Sequence, residues 1–353
     1  MPKADDSFSK VGSMAGKPQL KRETLDWLLS SEIAGVKYLA LRQLTGLAED
    51  SPEMEAAQQA AYRQGPIAAI LDNMEEAGYW CKPGAGYNPK YRSTVWSIML
   101  LAQLGAQTQK DARIAKACNY LLDHALTGNG QFSINGSPSG TLDCLQGNLC
   151  AALLDLGCDD PRLEAAFEWM ARTVTGEGLA GAHTEYQQAG LHYYAYKCGP
   201  QFACGANEKK SCAWGAVKVM LAFSKLPVER RTPLIEHAMQ QGVDFLFSRE
   251  PAMADYPTPH NAKPSRDWWL FGFPVFYITD LLQNVEVLAG LGYGGDPRLT
   301  KALKMIEDKQ DAQGRWALEF DYHEKTWVYF GQKKQPNPWV TIRAAKALGM
   351  AVR

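Results

Sequence analysis

A two-helix pattern that recurs about every fifty residues constrains the fold of this chain more than any other feature. Two stretches carry it most clearly: 153–170, LLDLGCDDPRLEAAFEWM, and 288–306, LAGLGYGGDPRLTKALKMI. Each is an apolar run that ends in Leu-Gly, followed by a short turn, Asp-Pro-Arg-Leu and a second periodic segment. Glycine favours the left-handed conformation that ends a helix, whereas aspartate caps the next helix and proline suits its first turn. The pattern therefore predicts a series of helical hairpins.

The two helices of each hairpin differ in polarity. The first is apolar on most sides, as in 93–105, STVWSIMLLAQLG, and the second is amphipathic, as in 161–173, PRLEAAFEWMART. We expect the first helix to be buried and the second to face water on one side. The buried helices are predicted to start near Glu32, Arg92, Asp143, Ser211, Phe276 and Trp339, and their partners near Pro52, Asp111, Pro161, Arg230 and Pro297.

The last buried helix has no partner after it, and residues 22–30, RETLDWLLS, could fill that outer position and close a ring. The predicted fold is therefore all-α: an (α/α)6 toroid in which six inner helices lie inside an outer layer. An open solenoid of the same hairpins is the alternative. The long connections all leave the same end of the hairpins and would gather at one mouth of a toroid: 75–91, 126–142, 175–210, 248–274 and 317–338. Connections of this length are often functional.

Charge and hydropathy argue against several classes of partner. The formal net charge is −1 and no basic run occurs, so nothing favours nucleic acid or an anionic membrane surface. No apolar stretch approaches the roughly 20 residues that span a bilayer. Residues 1–20 lack the apolar core of a secretory signal, so we expect a flexible lead-in, a single domain over 21–353 and a cytoplasmic protein. No pattern indicates a nucleotide or flavin cofactor, and the oligomeric state is left open.

Short aromatic motifs give the chain a family resemblance. Residues 310–316, QDAQGRW, fit the Q-x-x-x-G-x-W repeat of squalene and hopene cyclases, and weaker copies occur at 78–80 and 130–132. Residues 22–353 as a whole resemble a prenyltransferase/squalene-oxidase-repeat protein of the terpenoid cyclase and protein prenyltransferase toroids. The likeness is to a bacterial branch with characteristic phrases at 144–148, 198–212, 271–280 and 339–344. This resemblance implies an α/α toroid.

The chain departs from the chemistry of that family. The D-x-D-D acid of class II cyclisation is missing, because Asp155, Asp159 and Asp160 are spaced differently and lie at a turn. No D-D-x-x-D diphosphate motif is present. The Asp-x-Cys zinc motif of the protein prenyltransferases does not transfer either, because Asp143 and Cys144 are adjacent. We therefore expect an activity other than the standard terpene cyclisation.

Four cysteines are candidates for a site of their own. Cys198, Cys204 and Cys212 lie within one stretch, CGPQFACGANEKKSC, and Cys144 opens the third inner helix just as Cys212 opens the fourth. Adjacent inner helices start side by side, so the four thiols could converge. Three interpretations stay open: a tetrahedral zinc site, small packed side chains, or redox-active or nucleophilic thiols activated at helix N-termini.

Candidate acid–base groups lie near the same mouth. His183 and His192 flank the cysteine stretch, where a group that titrates near neutrality can act as an acid, a base or a ligand. The alternative is that they are surface histidines. Asp143 and Asp280 lie at starts of inner helices, where a carboxylate is either a helix cap or a catalytic acid–base group.

Aromatic side chains crowd the predicted loops. They would either fill the centre of the ring as core or line a cavity for a hydrophobic or phenolic molecule. The candidate substrate-binding residues are Tyr193, Tyr194, Trp268, Trp269, Phe271 and Tyr277.

These features together predict an enzyme. We expect a lyase, hydrolase or isomerase that acts on a small hydrophobic or phenolic carbonyl or alkene compound by acid–base chemistry, with zinc as one possible assistant. One alternative is a non-catalytic toroid that binds a ligand. Another is a carbohydrate-active (α/α)6 enzyme, although no close pair of carboxylates is evident.

Overall fold

The computed structural model describes residues 20–178 and 197–351, and it is mainly α-helical. In chain order the α-helices are α1 (Arg22–Leu29), α2 (Ala34–Ala40), α3 (Pro52–Arg63), α4 (Pro66–Leu71), α5 (Thr94–Gln103), α6 (Ala112–Ala125), α7 (Asp143–Asp155), α8 (Arg162–Thr175), α9 (Ala213–Lys225), α10 (Pro233–Leu246), α11 (Leu281–Leu288), α12 (Thr300–Asp308) and α13 (Pro338–Ala351). Two strands, β1 (Cys198–Gly199) and β2 (Ala203–Cys204), pair antiparallel, with Cys198 opposite Cys204. Among the described helices, none is long and apolar enough to cross a membrane.

Six of these helices form an inner ring. Helices α5, α7, α9, α11 and α13 contact one another in that order, and α13 in turn contacts α2. The Tyr38 hydroxyl of α2 donates to the carbonyl of Gly105, just after α5, at 3.1 Å and so joins the first inner helix to the second. The inner helices are buried on most sides, as nine of the ten residues of α5 show. The predicted all-α toroid is confirmed.

The first helix closes the outer layer. The Thr24 hydroxyl of α1 donates to the carbonyl of Gln313, just after α12, at 2.8 Å. The Arg315 guanidinium lies over the Trp27 ring, 4.3 Å from its centroid. Helix α1 therefore occupies the outer position that would otherwise stand empty beside α13, as residues 22–30 predicted.

The hairpin turns have the local chemistry that the repeat implies. Gly157 and Gly292 adopt φ values of 75° and 93°, which are left-handed conformations that glycine takes at little cost. Asp160 accepts a hydrogen bond from the backbone N–H of Arg162 at 2.9 Å, and Asp296 does the same for Arg298 at 2.9 Å. Each aspartate also pairs with the guanidinium of that arginine. Both turns are therefore specified within the repeat itself.

Helices α7 and α9 approach each other very closely at Gly147. A Cβ atom built on Gly147 would lie 2.3 Å from both the carbonyl carbon and the carbonyl oxygen of Lys218. Because the conflicting atoms belong to a backbone, no side-chain rotation can relieve the clash. The glycine thus sets the spacing that brings the starts of these two helices together.

We expect Gly147→Ala to lower the free energy of unfolding by about 1–3 kcal/mol, because α7 and α9 must separate. The matched control is Gly349→Ala in α13, where a Cβ would meet nothing within 4 Å. That change should leave stability equal or raise it by up to about 1 kcal/mol, since alanine favours helix. Urea denaturation measures both variants. Equal midpoints for the two variants would contradict the close approach.

Candidate functional site

The starts of α7 and α9 and the β1–β2 hairpin bring five functional side chains together. We call them the thiol–carboxylate cluster: Asp143, Cys144, Cys198, Cys204 and Cys212. Asp143 and Cys144 are the first residues of α7, and Cys212 directly precedes α9. A Cβ on Gly215 of α9 would lie 3.4 Å from the Cβ of Asp143, which shows how near the two helix starts are. The structure thus places the four cysteines in one neighbourhood.

Asp143 is the buried acid of this cluster. Its side chain is only 6% exposed, and its Oδ1 atom has no hydrogen-bond partner. Burial, helped by negative charge on Cys204, raises the pKa of Asp143 to about 7 against the opposing effect of hydrogen bonds from Cys198 and Thr173. The Cys198 thiol also contacts the carbonyl oxygen of Thr141 at 3.9 Å. Asp143 can therefore hold or release a proton near neutral pH.

Cys204 differs from the other three thiols. A hydrogen bond from the Cys212 thiol, together with the backbone N–H groups of Ala206 and Asn207, lowers the pKa of Cys204 to about 6 against the opposing effect of burial. Burial raises the pKa of Cys144 to about 12 and that of Cys198 well above its usual range. Cys204 is half-buried. It is therefore the thiol of the cluster that exists as a thiolate at neutral pH.

The cluster is not a formed metal centre. Across residues 20–178 and 197–351, no group of three or more His, Cys, Asp or Glu side chains is arranged to hold a metal ion. Zinc bound by Cys144, Cys198, Cys204 and Cys212 therefore stays a prediction. Further candidate residues lie outside the described residues: His183, His192, Tyr193 and Tyr194.

Three of the predicted substrate-binding aromatics pack among outer segments. Trp268 Nε1 donates to the carbonyl of Pro251 at 3.2 Å, and Trp269 Nε1 donates to that of Ala252 at 2.8 Å. Phe271 is buried, with the Lys309 ammonium 4.7 Å from its ring centroid. These contacts hold the connection between α10 and α11 in place.

Tyr277, by contrast, lies near the cluster. Negative charge on Cys144 contributes to a raised pKa of Tyr277, although burial is the main cause. The Tyr277 and Tyr87 hydroxyls share a hydrogen bond of 2.5 Å. Tyr277 is thus a described member of the predicted aromatic set that is near a residue of the cluster, and its contact with a substrate stays a prediction.

An aromatic segment crosses the interior of the ring. The Gln103 side chain makes two hydrogen bonds to the backbone of Val275, at 2.8 and 2.9 Å, and Asn148 Nδ2 donates to the carbonyl of Phe276 at 3.1 Å. Phe276 stacks on Tyr91, with ring centroids 5.3 Å apart. Aromatic core therefore fills much of the loop end of the ring, and the sequence-based prediction did not include Tyr91 in it.

A cavity of about 740 Å³ lies on the other side of this segment. Most of its wall comes from the C-terminal halves of the inner helices, and Gln283, Trp339 and Ile342 add side chains from the first halves of α11 and α13. The cavity therefore extends to the hairpin-turn end, whereas the sequence placed a pocket at the loop end. Three inner-helix ion pairs adjoin it: Lys225–Asp155 and Lys346–Glu286, both at 2.7 Å, and Arg343–Asp280 at 2.8 Å. The sequence feature that could have predicted these ion pairs is the presence of charged residues within otherwise apolar helices.

Asp280 belongs to one of these three ion pairs. Its Oδ1 caps α11 by accepting the backbone N–H of Gln283 at 2.8 Å, and both its oxygens accept from Arg343. Glu286 shows the same strong pairing: burial opposes ionisation, but Lys346 and Arg343 lower the pKa of Glu286 to about 2. The carboxylate of Asp280 therefore caps α11 and pairs with Arg343, and a catalytic role for it stays a prediction.

No family model and no curated protein matches this chain. Among solved structures, it is similar to the apo type II terpene cyclase MstE from Scytonema, with 12% identity over 81% of this chain and 94% of that one and a TM-score of 0.32. It is also similar to a protein from Actinoplanes, with 12% identity over 81% of this chain and 97% of that one and a TM-score of 0.30. Neither likeness bears on the activity of this protein.

Proposed function

We propose that this protein is an enzyme whose active site is the thiol–carboxylate cluster, with Cys204 as nucleophile and Asp143 as the proton-transfer group. The observation that carries the proposal is the unpartnered, buried Oδ1 of Asp143 beside thiols that come from separate segments. A buried carboxyl group without a full set of partners destabilises a fold. Such groups concentrate where chemistry needs them.

The geometry suits attack on an electrophilic carbon. The Cys204 sulfur would form a bond to the carbonyl carbon of a substrate while the carbonyl π electrons move onto oxygen. Asp143, protonated, would then give its proton to the leaving group as the carbonyl re-forms. In the second step a water molecule would attack the acyl carbon and lose a proton to the Asp143 carboxylate, and the C–S bond would break to return the Cys204 thiolate and the free acid. The proposed reaction class is therefore hydrolysis of an ester or thioester.

The proposed substrate class is small and hydrophobic or phenolic. Tyr277 lies near enough to Cys144 to be affected by its charge, and its hydroxyl is hydrogen-bonded to that of Tyr87, so an aromatic ring could pack against Tyr277 while its ester faces Cys204. Tyrosine offers an apolar face and a polar hydroxyl, which fits a phenolic molecule.

Thiol labelling tests the nucleophile. We expect iodoacetamide to alkylate Cys204 with a rate that rises through an inflection near pH 6, measured in a Cys81→Ser background because Cys81 is exposed. Cys212→Ala should move the inflection upward, since it removes the hydrogen-bond donor that is the main cause of the lowered pKa of Cys204. A labelling rate that rises through an inflection near the ordinary cysteine pKa of about 8.5, with Cys212 intact, would contradict the assignment of Cys204 as the thiolate.

Turnover of a panel of phenyl esters and thioesters tests the activity. Cys204→Ser should abolish it, and Asp143→Asn should lower kcat by about 10²–10⁴-fold. Cys81→Ser is the matched control and should keep full activity. Hydrolysis that survives Cys204→Ser would show that Cys204 is not the nucleophile.

A zinc site at the four thiols is the second candidate, favoured by their shared neighbourhood and by the backbone N–H groups aimed at Cys204. Four thiolates make a closed tetrahedral set, which stabilises a fold and leaves no open position for substrate. Elemental analysis of protein purified without chelator distinguishes the two. One zinc per chain, lost in Cys204→Ser, would replace the nucleophile proposal with a structural metal site.

A further inference from the structure

Lys218 is a buried amine in the interior of the ring. It lies in the middle of α9 with 0% of its surface exposed. Its Nζ donates to the neutral amide oxygen Oε1 of Gln283. In the part of the chain that the structure describes, no carboxylate lies within ion-pair distance of Nζ. The nearby carboxylates pair with other cations: Asp280 with Arg343, and Glu286 with Lys346. A lysine with only a neutral partner at full burial is a costly arrangement.

The amine of Lys218 lies next to the cavity of about 740 Å³ at the hairpin-turn end of the ring. Gln283 lines the cavity, and so do Leu221 and Lys225 of α9. Residues three and seven positions after Lys218 share its helix face. Gln283 therefore touches both the amine and the cavity. Access of a bound molecule to Nζ requires this side chain to rotate away.

The surroundings of Lys218 favour the uncharged amine. Burial, helped by the positive charge of Arg343, lowers the pKa of Lys218 to about 7. The negative groups that oppose this are Asp280 and Glu286, on the α11 side, and Cys144 of α7. A desolvated, neutral lysine amine is a good nucleophile for carbonyl carbon.

We infer that Lys218 is a second reactive site, which captures small oxo acids from the cavity as an imine. The amine nitrogen would form a bond to the carbonyl carbon, and the carbonyl oxygen would leave as water with the two amine hydrogens, so that a C=N bond remains. Lys225, Arg343 and Lys346 at the cavity wall are each paired with a carboxylate. The side chains that line the cavity nevertheless include four cations against three carboxylates, and this excess of positive charge favours the carboxylate of the substrate: Arg42, Lys225, Arg343 and Lys346 against Glu49, Asp155 and Glu286. Lys218 lies six residues after Cys212 along α9, and Cys144 of the thiol–carboxylate cluster is near enough to act on it electrostatically. The proposed imine chemistry does not depend on the function proposed for the cluster.

Reductive trapping tests the inference. The protein is incubated with glyoxylate and sodium borohydride, then digested and analysed by mass spectrometry. We expect one reduced adduct on the Lys218 peptide, with a yield that rises with pH through about 7. Propanal, which lacks the carboxylate, should label Lys218 less at the same concentration. Adducts on surface lysines alone, or equal labelling by the two aldehydes, would overturn the assignment of an oxo-acid site.

Gln283→Glu keeps the lysine and changes only its partner. The new carboxylate should raise the pKa of Lys218 towards its ordinary value of about 10.4, so trapping at pH 7 should fall at least about 100-fold, since the neutral fraction falls tenfold each time the pKa rises by one. Trapping should return near pH 10. Exposed Lys301 in the same digests is the internal control and should label equally in both proteins. Unchanged labelling of Lys218 in a folded Gln283→Glu protein would contradict the role of its environment.

Discussion

Asp143→Asn should stabilise the protein by up to about 4 kcal/mol at pH 8. The pKa of Asp143 is raised from 3.8 to about 7 in the folded state, so the folded state binds the proton more tightly than the unfolded state. Its contribution to stability is fully present below pH 4 and is lost as the pH rises towards 7, by about 1.4 kcal/mol for each step of one in pH. Asparagine stays neutral at every pH and does not lose this contribution.

Urea denaturation at several pH values between 4 and 8 measures the effect. The wild-type protein should lose stability over this range relative to Asp143→Asn, and the two proteins should be closest at pH 4. Asp296→Asn is the control, because pairing with Arg298 lowers the pKa of Asp296 to about 2 and its titration lies below this window. Parallel pH profiles for wild type and Asp143→Asn would show that Asp143 is not desolvated as described.

The same substitution separates stability from function. If Asp143 transfers protons, Asp143→Asn is more stable at pH 8 and far less active, which is the usual trade-off at a strained active site. A variant that is more stable and fully active would leave the desolvation intact as a structural fact and remove Asp143 from the mechanism.

The second large effect concerns the buried pair of Arg343 with Asp280. We expect Arg343→Met to lower the free energy of unfolding by about 3–5 kcal/mol, because it leaves a buried carboxylate without its charge partner. The guanidinium meets both oxygens of Asp280, at 2.8 and 2.9 Å, and also donates to the carbonyl of Gly272 at 2.6 Å. Asp280 is 4% exposed, so water cannot replace these contacts.

A double-mutant cycle in urea isolates the pair. Asp280→Asn retains a side chain that can cap α11, and in the Arg343→Met background it should recover part of the lost stability because no unpaired charge remains. Strictly additive losses would mean that the two side chains do not interact as an ion pair.

Local features of the fold could be read from the sequence because their causes lie within a few residues. Gly157 and Asp160 form one turn from a short stretch, and Gly292 and Asp296 form another in the same way. The placement of Cys144 beside Cys212 needed only the hairpin order, since each opens an inner helix and consecutive inner helices are neighbours.

Aromatic residues were harder to place, since rings pack equally well in core and in pockets. Trp268 and Trp269 bond to carbonyl groups of the segment after α10, whereas Tyr277 reaches the cluster near Cys144. The amino-acid composition does not predict which aromatic residues pack in the core and which lie near the cluster. These placements depend on the path of the connections, which the tertiary structure decides.

The sequence by itself determined the helices, their alternation between buried and half-exposed layers, and the closing role of the first helix, because periodicity and caps act over short distances. Only the tertiary structure decided which ionisable groups are isolated and which are paired. Lys218 meets a neutral amide while Arg343 meets a carboxylate, and both partners come from the α11 side of the ring. Desolvation and charge pairing depend on atoms far apart in the chain, and these set the chemistry at Asp143, Cys204 and Lys218.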